Sequence, residues 1–341
     1  MPQPLKTCAA MLTLVILAAG CGDARQADGD TLVVYSAGPR PLAEAVVSDW
    51  EASTGHRVEL FAATTGQIMA RLEAERYRPR ADVVVFASAL AAESLKQRGA
   101  LLPYQPEGLN HTHEAWHDPD HHYVATSAAI VGVALRDGVG TVDLDWSELM
   151  SGQTGGRLTM PSPSRSGSAG EFVLAYKLHH GDRAWDDYLA MRRAGLEFSA
   201  ANSQAIGGLL QGAYQAIVGA VDYLIYRQVD QGAPVRMHYP PSGSALVIRP
   251  VAILADTPVE DLAQSFVDHY LSLPMQEKVA AQHLLPARTD VPLSPARAGQ
   301  GLPETFNIDT AEALEQYRDV LRRFQIQVER AEVVPAGGNN P

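Results

Sequence analysis

Three times between Thr31 and Gly99, a short β-rich run passes through a hydroxyl-bearing turn into a stretch of helical period. Thr31–Ser36, Val58–Phe61 and Ala81–Phe86 read as strands, the last as a buried one. Pro41 opens a helix with Leu42, Val46 and Trp50 on one face, and Gly55 closes it. Thr64 and Thr65 cap a second helix bearing Ile68, Met69 and Leu72, and Ser88 starts a third that ends at Gly99. Parallel strands need crossover connections, so this order predicts an α/β fold: a mostly parallel sheet flanked by helices on both faces.

Such sheets bind ligands at the carboxyl ends of their strands, where loops run into helices. The loops there are Ser36-Ala-Gly38-Pro, Ala63-Thr64-Thr65-Gly66 and Ala87-Ser88-Ala, each with a hydroxyl and small residues. A fourth follows the expected strand Leu158–Met160, where Ser162, Ser164, Ser166 and Ser168 crowd the start of a helix with Phe172, Val173, Tyr176 and Leu178 on its apolar side. The first N–H groups of a helix have no internal partner and sit at the positive end of its dipole, which favours an anion. Gly167 leaves room for a ligand against the backbone. Any one such turn is equally well a set of N-caps. Four on one edge predict a polar, hydroxyl-lined cleft.

The rest of the chain divides around two long apolar runs. Tyr123–Leu135 reads as a strand crossing into a second lobe, and Ala245–Leu254 as the strand crossing back. The second lobe holds helices at Asp182–Ala194, Asn202–Gly212 and Asp222–Gln231 and a strand at Gln215–Val221. Helices near Val259–Leu271 and Met275–His283 return to the first lobe, and Ala311–Val328 is a final amphipathic helix with Asp309 and Glu312 as its capping box. The expected division is 31–124 with 247–292 as lobe 1, 125–246 with 293–330 as lobe 2, and 331–341 as a disordered tail. At 341 residues the chain is long enough for two such lobes, and its 46% apolar content suffices for their cores. A net charge of −12 argues against nucleic acid as a partner.

Before the first strand, Lys6 precedes the apolar run Ala9–Ala19, which is short for a membrane span and right for a signal-peptide core. It ends in Leu17-Ala-Ala-Gly-Cys21, which resembles a bacterial lipoprotein cleavage box. That resemblance implies a signal peptide at 1–20, lipid on Cys21, a tether over 21–30 and a periplasmic or extracytoplasmic address on the membrane; a plain cleaved secretory signal is the alternative. Cys8 lies inside the removed segment, so the mature chain keeps one thiol and no internal disulfide.

The order Thr31-Leu-Val-Val-Tyr-Ser, Thr65-Gly-Gln-Ile-Met-Ala-Arg-Leu, Ala81-Asp-Val-Val-Val, Ser166-Gly-Ser-Ala-Gly-Glu-Phe and Ala220-Val-Asp-Tyr-Leu resembles the solute-binding proteins of bacterial ABC importers. Within them it is similar to the ferric-iron-binding group and its phosphonate- and sugar-phosphate-binding relatives. The resemblance implies a two-lobed periplasmic-binding-protein fold with the two crossing strands as hinge, a monomer that delivers its solute to an ABC permease, and no cofactor. Ferric-binding members carry a His after the first strand, a Glu after the third and a Tyr pair on a second-lobe helix. Here those positions hold Pro39, Ala87 and Asp222-Tyr223, while the anion turn survives as Ser166-Gly167-Ser168. Ferric iron prefers several anionic oxygen ligands, so a small anionic or zwitterionic solute (phosphonate, phosphate ester or carboxylate) is the expected ligand. Iron held by Asp222 and Tyr223 is the alternative. The expected ligand-binding residues are Ser36, Gly38, Thr64, Thr65, Ser88, Ser164, Ser166, Gly167, Ser168, Asp222 and Tyr223. Asp222 is expected to pair with an amine of the solute or with Arg165 or Arg249, or else to cap its helix. The histidines of 111–122 with Asp118 and Asp120 match no compact zinc spacing and read as a solvated loop. Tyr214, Tyr226 and Tyr239 are further candidates for the cleft wall. An enzyme or a ligand-presenting sensor module on the same fold is the rival reading, although no Gly-x-Ser-x-Gly elbow, His-Glu-x-x-His pair or phosphate-loop lysine is present.

Overall fold

The computed structural model describes residues 31–139, 144–151, 156–308 and 310–331. The signal peptide, the tether, Cys21, Asp309 and the tail from 332 lie outside the described residues. The chain begins β1 (Thr31–Ser36), α1 (Arg40–Thr54), β2 (Arg57–Ala62), α2 (Thr65–Ala74), β3 (Val83–Val85), α3 (Ala89–Lys96) and β4 (Leu101–Leu102). It crosses along β5 (Val124–Arg136) to α4 (Trp146–Met150), β6 (Leu158–Pro161), α5 (Gly167–His180), α6 (Arg183–Arg193), β7 (Glu197–Ser199), α7 (Asn202–Leu210), β8 (Ala216–Val221), α8 (Asp222–Asp230) and β9 (Val235–His238). It returns along β10 (Ala245–Leu254) to α9 (Glu260–Leu271), α10 (Leu273–Ala281), β11 (Leu285–Pro286), α11 (Pro295–Gln300) and α12 (Thr310–Phe324), which ends in a π-turn at Gln325–Glu329.

One sheet runs through both halves in the order β2-β1-β3-β10-β5-β8-β6-β7. The flanks are parallel, with β1 beside β2 and β3, and β6 beside β7 and β8. The middle departs from the mostly parallel expectation. β5 and β10 run antiparallel to each other, and β10 to β3 and β5 to β8, because the chain goes out along one and comes back along the other. The two lobes therefore share one backbone ladder across the hinge.

Alternation along the strands covers both faces. Leu32 and Val34 pack with Leu42, Val46 and Trp50 of α1, whereas Val33 and Tyr35 pack with Ile68, Ala92 and Leu95 of α2 and α3. In the second lobe the Trp146 ring lies 5.1 Å from Phe172. Pro250 cannot donate to a ladder, so its place inside a central strand requires an irregularity. The β10–β5 register shifts between Arg249 and Pro250, and the Pro250 carbonyl still accepts from Phe86 N at 2.9 Å. Such a bulge re-aims the side chain beside it, and that side chain is Arg249.

Candidate functional site

The helix tips meet. Thr64 forms a capping box with Gln67, so its hydroxyl serves its own helix. Thr65 Oγ1 accepts from Ala87 N at 3.2 Å and ties the turn before α2 to the turn before α3. From the other half, Ser166 caps α5 by accepting from Ala169 N at 3.3 Å, and its Oγ lies 3.1 Å from Ser168 Oγ. Asn202, the first residue of α7, donates to both serines at 3.2 and 3.4 Å. A Cβ on Gly167 would lie 2.8 Å from Thr65 Oγ1 and 3.0 Å from Ser88 Cβ, and one on Gly66 would lie 3.0 Å from the Ser164 carbonyl. The tips of α2, α3 and α5 are thus in direct contact, and Thr65, Ser88, Ser166, Gly167 and Ser168 are all buried there.

This contact makes a prediction. In Gly167→Ala the extra methyl group collides with Thr65 and Ser88 unless the halves separate. Overpacking of this kind costs about 1–3 kcal/mol, so solute affinity should fall by roughly 5- to 100-fold while the melting temperature stays near wild type. Calorimetric titration checks it, and an unchanged affinity would show that this contact is not part of the solute-bound form.

Beside the tips, Ser36 Oγ accepts from Gly38 N at 3.1 Å and shapes the β1–α1 turn. The Ala37 carbonyl of that turn accepts from Arg249 Nη2 at 2.9 Å, and the Arg249 guanidinium stands 5.6 Å from the centre of the Tyr223 ring. Arg249 is 2% exposed, and among the described residues no carboxylate forms an ion pair with it. A buried cation without an ion pair is costly, and Glu171 acts on this one only from beyond ion-pair distance while burial disfavours that carboxyl's charge. It touches the first lobe through Ala37, the second through Tyr223, and stands on the strand that joins them.

Two other expected residues are engaged elsewhere. Ser164 is exposed, and its hydroxyl bonds Ser162 at 2.9 Å and Glu329 at 3.2 Å. Asp222 is 0% exposed and pairs with Arg297 at 2.7 Å, itself 1% exposed, rather than with Arg165 or Arg249. It accepts from Tyr223 N at 2.7 Å and from the Tyr239 hydroxyl at 3.1 Å, and Val221 is the residue at the N-cap of α8. Burial pushes its carboxyl up while Arg297 opposes the shift. Tyr226 joins Tyr239 and Gln300 behind this pair, and Tyr214 donates to Glu197. These tyrosines brace the scaffold. In the His-rich segment, Asp118, Asp120 and His122 lie close enough to share a cation, but Lys96 already bonds both aspartates.

Sequence reasoning gave no role to Asn202 or Glu171. Glu171, on α5, is buried and accepts from Ser88 Oγ at 2.6 Å and Leu90 N at 3.2 Å, across the contact between the halves. Beyond it lies a cavity of about 870 Å³, lined by Leu174, Leu246, Ile248 and Phe306 with Glu93, Glu114 and Lys96, the last already bonded to Asp118 and Asp120. Walls whose one lysine is already paired and whose other charges are acidic do not suit an oxyanion, so the tips and Arg249, not this cavity, form the candidate site.

A family model of bacterial extracellular solute-binding proteins matches residues 31–284. The probable ABC transporter periplasmic-binding protein y4fP of Sinorhizobium fredii is 26% identical over 264 residues, spanning 74% of this chain and 73% of its own. The periplasmic binding protein AfuA of Actinobacillus pleuropneumoniae, solved with fructose-6-phosphate bound, superposes with a TM-score of 0.80 at 19% identity, covering 88% of this chain and 99% of that one. Iron-bound HitA of Pseudomonas aeruginosa superposes with a TM-score of 0.73 at 22% identity, covering 85% and 99%.

Proposed function

The chain belongs to the bacterial extracellular solute-binding proteins, and from that premise we propose that it captures a small organic anion for an ABC importer, with a phosphate ester, phosphonate or carboxylate as the bound group. The observation that carries this reading is Arg249, a buried guanidinium without an ion-pair partner among the described residues, on the strand between the lobes and beside the tips of α2, α3 and α5. An anion supplies the missing counter-charge, and the hydroxyls of Ser166 and Ser168 with the Asn202 amide supply hydrogen bonds. Ferric iron would instead place positive charge beside Arg249, and Asp222 is committed to Arg297. The same commitment leaves no Asp222 carboxylate for an ammonium group, which favours a plain anion over a zwitterion.

The solute docks between the lobes and stabilises the closed form by its differential affinity for it. The closed monomer then engages the permease, while lipid on Cys21 keeps it at the outer face of the membrane. No helix of the described residues is long and apolar enough to cross a bilayer. A thermal-shift panel of hexose phosphates, alkyl- and aminoalkylphosphonates, short carboxylates and Fe(III) tests the assignment. A ligand at 100 times its Kd adds about 2.7 kcal/mol, so the matching anion should raise the melting temperature by about 5 °C. A shift with Fe(III) and none with any anion would overturn it.

A further inference from the structure

Ser88 occupies the N-cap position of α3, yet its side chain does not cap its own helix. Its hydroxyl donates instead to Glu171 of α5, and the same carboxylate oxygen accepts from Leu90 N in the first turn of α3. The first N–H groups of a helix need an acceptor from somewhere. Here the acceptor comes from the opposite lobe. We propose that Glu171 is a positioning residue for solute capture: its carboxyl caps α3 in trans, holds the two lobes closed without solute while it carries a proton, and lets them open as that proton leaves. The proposal rests on the solute-binding reading only for the existence of an open form.

The groups facing this carboxyl come from every neighbouring element. Ser88 and the Ala89 and Leu90 amides come from α3, Arg249 from β10, Tyr317 from α12, and Tyr123 from the residue preceding β5. Glu93 of α3 lines the same cavity as Glu171. Burial pushes the carboxyl up to about 7, with Ser88, the two amides and Arg249 pulling the other way. Separation of the lobes returns the group to water and to its ordinary value of 4.5. The closed form therefore binds the proton more tightly than the open form. Its advantage is complete below about pH 4.5 and is lost as the pH rises through about 7. Across that window the closed-to-open ratio should fall by a factor on the order of 100.

The test is run on the purified protein without solute, by small-angle scattering and by hydrogen exchange at the first-turn amides of α3 between pH 5 and pH 8. Wild type should open as the pH rises. Glu171→Gln keeps an acceptor oxygen but cannot ionise, so it should stay closed with a flat pH profile. Glu171→Ala should be open throughout, with the α3 amides exchanging at least tenfold faster. If Glu171→Ala does not fold, the Gln variant alone decides. A Gln variant with the wild-type pH profile, or an Ala variant with wild-type scattering and exchange, overturns the proposal. Either failure leaves the anion panel untouched, so the two readings fall separately.

Discussion

Arg249→Gln should lower affinity for the solute by at least 100-fold and leave the protein folded. A hydrogen bond to a charged group contributes about 1.5–3 kcal/mol, and a buried pair is little screened by salt. Loss of the charge together with the fork therefore removes roughly 3 kcal/mol from the complex, which is somewhat more than a factor of 100. The ligand-free protein suffers less, because in that state the guanidinium has no ion-pair partner among the described residues to leave behind. Glutamine can still donate toward the Ala37 carbonyl. Arg249→Lys keeps the charge and loses the planar fork and the stacking over Tyr223, so an intermediate loss of about tenfold is expected. Titration with the anion that raises the melting temperature measures both. If affinity in Arg249→Gln stays within threefold of wild type, the guanidinium does not meet the solute. If Fe(III) affinity rises in the same variant, Arg249 is what keeps cations out.

That residue was visible in the sequence, because it is the one charge within Ala245–Leu254, a run whose bounds match β10 residue for residue. A charge inside a crossing strand signals either a buried pair or a ligand, and sequence alone does not say which. The strand and helix alternation was equally legible, since the periods of 2 and 3.6 are set by local geometry. Gly55 ends α1 in the left-handed conformation, as a C-cap glycine should. The antiparallel middle of the sheet was less legible, because strand direction depends on where the chain returns, not on any residue in β5 or β10. β4 and β11 are two residues each, too short for a period to appear. Glu171 carried no signal in the sequence, because its partner Ser88 belongs to another lobe. Ser164 in the serine-rich turn and Thr64 before α2 carry hydroxyls at helix starts that bond Glu329 and the α2 cap, partners that their sequence neighbourhoods do not reveal.

Asp222 is held by Arg297 rather than by either arginine expected from the sequence, and its replacement should have the largest effect on stability. Asp222→Ala leaves Arg297 buried without its counter-ion and deprives Tyr239 of an acceptor. Breaking one side of a buried pair costs about 3–5 kcal/mol. For a chain of this size that corresponds to a fall in melting temperature of about 5–8 °C. Replacing both partners with apolar residues, Asp222→Leu with Arg297→Met, removes the orphaned charge as well and should recover most of the loss, because such exchanges are often neutral. Asp222→Asn separates stability from binding. It keeps an acceptor for Tyr239 while giving up the charge, so the protein is destabilised but foldable, and affinity for a simple anion should change less than threefold. A 100-fold loss confined to amine-bearing anions, with the melting temperature unmoved, would mean that the carboxylate leaves Arg297 to meet the solute. Opposite results in the two assays thus distinguish a brace for α8 from a ligand for an ammonium group, and the 2.7 Å bond to a guanidinium that is 1% exposed favours the brace.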